Sequence, residues 1–173
     1  MTKLTLFLAT VSFALATSSN ASQDLPKATI GRTPTYVFEN TIYLSGMRAP
    51  GDFKVFAVLR VDTVIDLSGT ADRHAVEQAG LRYIHIPLEE NFPTRLDALD
   101  PVVKSLLNAS RDRRVLICDD DGEETGAVWA LYRALTDGVA VDTALDEGRS
   151  IGLADRRLVE RVRNLMTTRS ARH

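Results

Sequence analysis

From Tyr36 onward, short β-branched runs alternate with amphipathic stretches. NTIYLSG at 40–46 reads as a strand that ends at a turn. PGDFKVFAVLR at 50–60 spaces Phe53, Val55, Phe56, Val58 and Leu59 for one apolar helical face. DTVIDLSG at 62–69 reads as a buried strand closed by Ser-Gly. ADRHAVEQAG at 71–80 predicts a short helix with Gly80 as its stop. LRYIHIPL at 81–88 predicts a strand ended by Pro87. Thr94 and Asp97 resemble a capping box that opens the next helix, with Leu96, Leu99, Val102, Val103, Leu106 and Leu107 along one side. VLIC at 115–118 is apolar throughout, the pattern of a central strand. A helix is predicted from Thr125 to Thr136, with Val128, Leu131, Tyr132 and Leu135 inward and Gly138 at its end. Asp142 is placed to cap a short helix reaching Glu147. A last helix is predicted over 154–167, with Leu158, Val162 and Leu165 inward. There is no internal repeat, coiled coil or low-complexity segment.

Strands alternating with helices predict a single α/β domain, its central, mostly parallel sheet flanked by helices. In such sheets a ligand sits at the carboxyl ends of the strands. The length of 173 residues suits one domain with a real core.

The beginning of the chain follows another pattern. Lys3 is followed by an apolar stretch from Leu4 to Leu15, then by small residues. Ala14-Leu15-Ala16 and Ser19-Asn20-Ala21 both fit the small-x-small cleavage rule, so the segment reads as a secretory signal. Its apolar core, roughly 18 Å as a helix, falls short of the ~30 Å of hydrocarbon that an uncleaved anchor would cross. No lipobox-like cysteine follows. The expected organisation is a signal peptide over 1–21, a flexible arm over 22–35, the folded domain over 36–168 and a tail over 169–173. The mature protein is expected to be periplasmic or secreted, without membrane attachment once the signal is removed.

Composition narrows the picture. Hydrophobic residues make up 45% and charged residues 25% of the chain, as in ordinary globular domains. No long basic run is present, so nucleic-acid binding lacks electrostatic support. The single cysteine, Cys118, rules out a disulfide-stapled scaffold. It has three readings: a small buried apolar residue, a chemically used thiol, or a link between chains.

Cys118 is also where candidate chemistry concentrates. It ends the apolar strand, and Asp119, Asp120, Asp121, Glu123 and Glu124 follow before the helix. A loop whose amides converge at a helix N-terminus makes an anion cradle. A thiol placed there is ordinarily activated as a nucleophile. Thr125 and Gly126 follow Cys118 at the distances found in the signature of the cysteine-dependent phosphatases: His-Cys, five residues, Arg, Ser or Thr, Gly. With TGAVWALYRALTDGVAVDTALDEG, NTIYLSGMRAPGDF, VDTVIDL and AGLRYIHIPL, the chain resembles the bacterial protein tyrosine and dual-specificity phosphatases over residues 36–168. The resemblance implies their fold, Cys118 at the nucleophile position, Thr125 at the hydroxyl that hydrogen-bonds the thiolate, and a phosphate loop of Asp119, Asp120, Asp121, Gly122, Glu123, Glu124 and Gly126. It also implies a general acid on PLEENFP at 87–93, where Glu90, ahead of Glu89, takes the place of the family's aspartate.

The departures are as specific as the matches. Ile117 stands where the family has histidine, Glu124 where it has the arginine that clamps the phosphoryl group, and Asp121 where it has glycine, with Gly122 one place late. A carboxylate offers no donors and has the wrong sign. Two unit charges about 4 Å apart interact by roughly 4 kcal/mol at an effective dielectric near 20. Exchanging attraction for repulsion against a dianion is therefore worth orders of magnitude in affinity or rate. The carboxylates should also keep Cys118 a neutral thiol.

The first expectation is accordingly a pseudophosphatase, binding a protein partner or a cationic group at its acidic loop and needing no cofactor. An active phosphomonoester phosphatase would need an arginine from elsewhere, such as Arg48, Arg73 or Arg95, or a bridging cation. A cation-binding module is the third reading, although the spacing does not match an EF-hand. No His and carboxylate set has metal-ligand spacing, so no metal centre is assigned. In their plainest readings the acidic run is a solvated loop, Thr125 a helix N-cap, Trp129 core, His85 structural, His74 on a polar helix face and His173 in the tail.

Overall fold

The structure, a computed structural model, describes residues 25–30, 33–46, 48–88 and 99–170. The signal segment, Glu89, Glu90, Thr94, Arg95, Asp97 and His173 lie outside the described residues. The elements in chain order are β1 (Lys27–Ile30), β2 (Thr33–Phe38), β3 (Ile42–Ser45), α1 (Asp52–Val58), β4 (Val61–Asp66), α2 (Arg73–Gln78), β5 (Arg82–His85), α3 (Asp100–Leu107), β6 (Arg114–Cys118), α4 (Glu123–Leu135), α5 (Val141–Ile151) and α6 (Arg156–Ser170). No described helix is long and apolar enough to cross a membrane.

One six-stranded sheet, ordered β1-β2-β3-β6-β4-β5, runs through the domain. β3, β6, β4 and β5 are parallel, while β1 and β2 join as an antiparallel flank. The α/β architecture with a mostly parallel sheet is the one the pattern predicted. Register aligns Ser45, Cys118 and Asp66 along the carboxyl edge, with His85 beside Asp66. β6 is central and its four apolar residues are buried, as their unbroken run required.

Apolar residues alternate across β6, so each face has its own core. Val115 and Ile117 pack with Leu106, Trp129, Leu131, Leu145 and Val162, under α3 to α6. Leu116 and Cys118 pack with Tyr43, Phe53, Phe56 and Val76, under α1 and α2. The helix that carries the candidate loop, α4, is fixed by a buried polar cluster. Glu147 of α5 accepts from Trp129 Nε1 at 2.9 Å and from Arg133 Nε at 2.8 Å and Nη2 at 3.2 Å. Trp129 is fully buried, and the Arg133 and Glu147 charges beside it satisfy each other, which is the condition under which a buried ion pair is tolerated.

Four local expectations need correction. The stretch expected to be a flexible arm holds β1 and the start of β2, so ordered structure reaches back before residue 36. The apolar face of α1 is narrower than its composition suggests: Phe53 and Phe56 are fully buried, but Val55 is 43% and Val58 82% exposed. This seven-residue helix turns Asp52, Phe53 and Phe56 inward and leaves Val55 and Val58 on its outer side. Leu107, expected on the inner side of α3, is 57% exposed. The helix expected to be capped by Asp142 begins two residues earlier, at Val141 after Ala140, without a side-chain cap, and continues to Ile151. The remaining stops agree with the sequence. Gly80 and Gly138 take the left-handed conformation after α2 and α4, which glycine adopts without a Cβ penalty. The final helix is capped by Asp155, whose Oδ1 accepts the Leu158 N–H at 2.8 Å.

Candidate functional site

Cys118 closes β6 and the loop 119–122 leads directly into α4. Gly122 makes the turn possible: its φ is +96°, and a Cβ there would lie 2.7 Å from the Ile151 carbonyl oxygen. With Gly122 as N-cap, Thr125 lies in the first turn of the helix rather than before it. Its hydroxyl donates at 3.4 Å to the Ser45 carbonyl, so Thr125 is not the cap that its residue type suggested.

The cap is Asp119. Its carboxylate is buried, with Oδ1 accepting the Gly122 N–H at 2.7 Å and Oδ2 accepting the Thr125 N–H at 3.0 Å. These amides converge as an anion cradle requires, but the anion is a side chain of the loop itself. Glu124, expected from the sequence resemblance to stand in for an arginine, lies beside the same carboxyl group. Burial pushes Glu124 up to about 7, and the contact with Asp119 adds to the rise. Burial also raises Asp119, against the opposing effect of the amide donors. Both carboxyl groups are thus shifted toward the protonated form, and as neighbours they titrate together.

The other carboxylates of the run have partners too, so the loop is not simply a solvated stretch of charge. Asp120 Oδ1 accepts from Ser68 Oγ at 3.0 Å and from the Thr70 hydroxyl, fastening the loop to the turn after β4. Asp121 Oδ1 accepts the Glu123 N–H at 3.0 Å. Glu123 accepts the N–H groups of Ala154 and Asp155, each at 2.9 Å, which ties α4 to the approach of α6. Asp119, Asp121 and Glu124 each present an oxygen within 4.8 Å of the others. Oxygen donors of this kind suit a hard cation.

The Cys118 thiol is raised well above its ordinary value. Burial is the largest cause, followed by the Asp66 carboxylate; Asp119 and Asp120 add less. The direction agrees with the sequence argument, but the leading causes are not the loop charges. Asp66 is itself fully buried and accepts N–H groups of Ser68, Gly69 and Ala71 and the Tyr83 hydroxyl, the last at 2.7 Å.

The arginines considered as substitutes are engaged elsewhere. Arg48 is buried, and its guanidinium donates to the carbonyls of Ile30 at 2.9 Å, Thr33 at 3.4 Å and Pro34 at 3.3 Å, to Thr35 Oγ1 at 2.6 Å and to Ser45 Oγ. Desolvation lowers it to about 10. Arg73 is exposed and pairs along its own helix with Glu77 at 2.9 Å. Arg95 and the acid candidates Glu89 and Glu90 lie outside the described residues. His74 is exposed and contacts Gln78, while His85 is exposed at the end of β5. Sequence reasoning missed the parts played by Asp66, Arg48 and Asp119. The role of the last was readable, since an Asp shortly before a helix is a frequent cap.

No protein-family model matches the chain, and no curated protein does. Similar solved structures were found. TpbA of P. aeruginosa is 23% identical with a TM-score of 0.69, over 85% of this chain and 91% of that one. A TpbA structure holding phosphotyrosine is 24% identical with a TM-score of 0.63, over 76% and 82%. Tk-PTP in its active form is 18% identical with a TM-score of 0.65, over 77% and 96%. The chain thus has the fold of the protein tyrosine phosphatase-like cysteine phosphatases.

Proposed function

We propose that this protein is an exported pseudophosphatase, a binding module on a phosphatase scaffold. One observation supports the reading above all: the amides of Gly122 and Thr125, which an incoming oxyanion would need, are taken by the Asp119 carboxylate. A phosphate dianion would have to displace a buried carboxylate and meet Glu124 in place of a guanidinium. The neutral, buried thiol of Cys118 supports the reading further, because the thiolate is the nucleophile in such chemistry. The acidic loop would instead receive a protein partner or a cationic group. Export rests on the pattern of residues 1–21 alone.

The test is turnover of an aryl phosphate by the mature protein, with and without Mg²⁺ or Ca²⁺. The expected result is no turnover in either condition. Turnover that disappears in Cys118→Ser would establish an active cysteine-dependent phosphatase instead. The approach of Asp119, Asp121 and Glu124 favours a cation-binding module as the second reading. A rise in melting temperature with Ca²⁺ or Mg²⁺, lost in Asp121→Asn, would support it.

A further inference from the structure

The parallel strands have a second pole, at their amino ends, where a cavity of about 160 Å³ opens between the sheet and α3. One water needs only roughly 10–15 Å³ of such space, so the cavity has room for a polyatomic ligand. Thr63 and Val115 form its buried floor. Three cations reach its walls from three elements of chain: Arg82 on β5, Lys104 on α3 and Arg113 just before β6. The one carboxylate present, Asp62, is already engaged. It accepts from Thr63 Oγ1 at 2.6 Å and lies 3.6 Å from Arg82 Nη2.

These contacts also orient the cavity's chemistry. Thr63 Oγ1 accepts from Arg82 Nε at 3.1 Å and Nη2 at 2.9 Å, which fixes the guanidinium plane at the rim and leaves its other N–H groups free to donate. Among the described residues, Lys104 and Arg113 have no carboxylate within ion-pairing distance. Asn108 donates its amide to the Lys104 carbonyl at 2.7 Å, so its Oδ1 remains as an acceptor. Three cationic side chains around one cavity, with one uncommitted acceptor, match an oxyanion that carries a hydroxyl.

We propose that this cavity binds a phosphate or sulfate group borne on a small hydroxylated molecule, at the pole opposite the acidic loop. The site is independent of what happens at Cys118.

The experiment follows backbone amide NMR shifts of the full chain at low salt, titrated separately with inorganic phosphate and inorganic sulfate. Saturable shifts are expected at Thr63, Arg82 and Val115, with both ions weakening as NaCl is added. Lys104→Glu with Arg113→Glu should weaken the apparent affinity at least tenfold, and Cys118→Ser should leave it unchanged. Both reversed side chains are exposed, so amide dispersion outside the cavity should match the parent. Shifts confined to Gly122 and Thr125, no saturation, or equal affinity in the reversed variant would each overturn the proposal.

Discussion

Asp119 and Thr125 face each other across the turn from β6 to α4, and the carboxylate of one accepts the amide proton of the other at 3.0 Å. The same carboxylate holds the Gly122 N–H at 2.7 Å, so both ends of the turn depend on one buried side chain. Asp119→Ala removes both acceptors and leaves two buried donors unpaired. Hydrogen bonds to charged groups contribute roughly 1.5–3 kcal/mol each, and a cap alone about 1 kcal/mol. A loss of about 2–3 kcal/mol is expected in urea denaturation, with Asp119→Asn losing less. A loss within the scatter of about 0.5 kcal/mol seen for surface changes would mean the amides find other partners.

The upward shift of Glu124 beside Asp119 makes stability depend on pH. Glu124 lies near 4.5 when unfolded and at about 7 in the folded chain. Between those values the folded state binds the proton that the unfolded state has released. Its stabilising effect is therefore full below the unfolded value and lost as pH rises through 7. The melting temperature should fall from pH 5 to pH 8, and Glu124→Gln should flatten that slope and exceed the parent at pH 8. A slope unchanged by Glu124→Gln would place the titrating proton elsewhere.

Cys118 should behave as an inert thiol. Burial and the Asp66 carboxylate hold it neutral, so alkylation by iodoacetamide at pH 8 is expected only at the rate of unfolding. Mass spectrometry of the native and urea-unfolded protein checks this, with complete labelling expected in urea alone. Rapid labelling of the native chain would mean an open, ionised sulfur.

If the acidic loop is what excludes oxyanions, its reversal should admit them. Glu124→Arg combined with Asp119→Ser, Asp120→Asn and Asp121→Asn supplies the guanidinium, keeps a short polar acceptor at the cap and removes four negative charges. Vanadate, which the parent should ignore, is expected to bind this variant with millimolar affinity or better by fluorescence of Trp129. A folded variant that ignores vanadate would mean that the loop's geometry, and not its charge, closes the site.

Much of the fold and the position of the site are legible in the order of the amino acids. The unbroken apolar run of VLIC locates the central strand, Gly80 and Gly138 locate two helix ends, and the spacing from Cys118 to Thr125 and Gly126 locates the loop. What is not legible depends on residues far apart in the chain. Arg48 is buried because its acceptors are carbonyls of β1 and β2, and nothing in a local window announces them. Asp66 raises Cys118 across a strand pair that only the sheet order brings together. The polar stretch preceding Tyr36 has the pattern of a loose arm because β1 lies at the sheet's edge, with only Ile30 of its four residues buried, so it shows little hydrophobic periodicity. Val55 and Val58 carry the apolar pattern of α1 onto a face that the sheet never covers.

The single guanidinium of Arg48 stitches the amino-terminal hairpin to the rest of the molecule through three backbone carbonyls. A shortened version started at Tyr36, where the obvious pattern begins, would strand that cation beneath the sheet with most of its acceptors cut away. A piece that keeps this cation's acceptors must therefore extend back at least to Ile30, and anyone trimming the gene for expression should place the cut upstream of that hairpin.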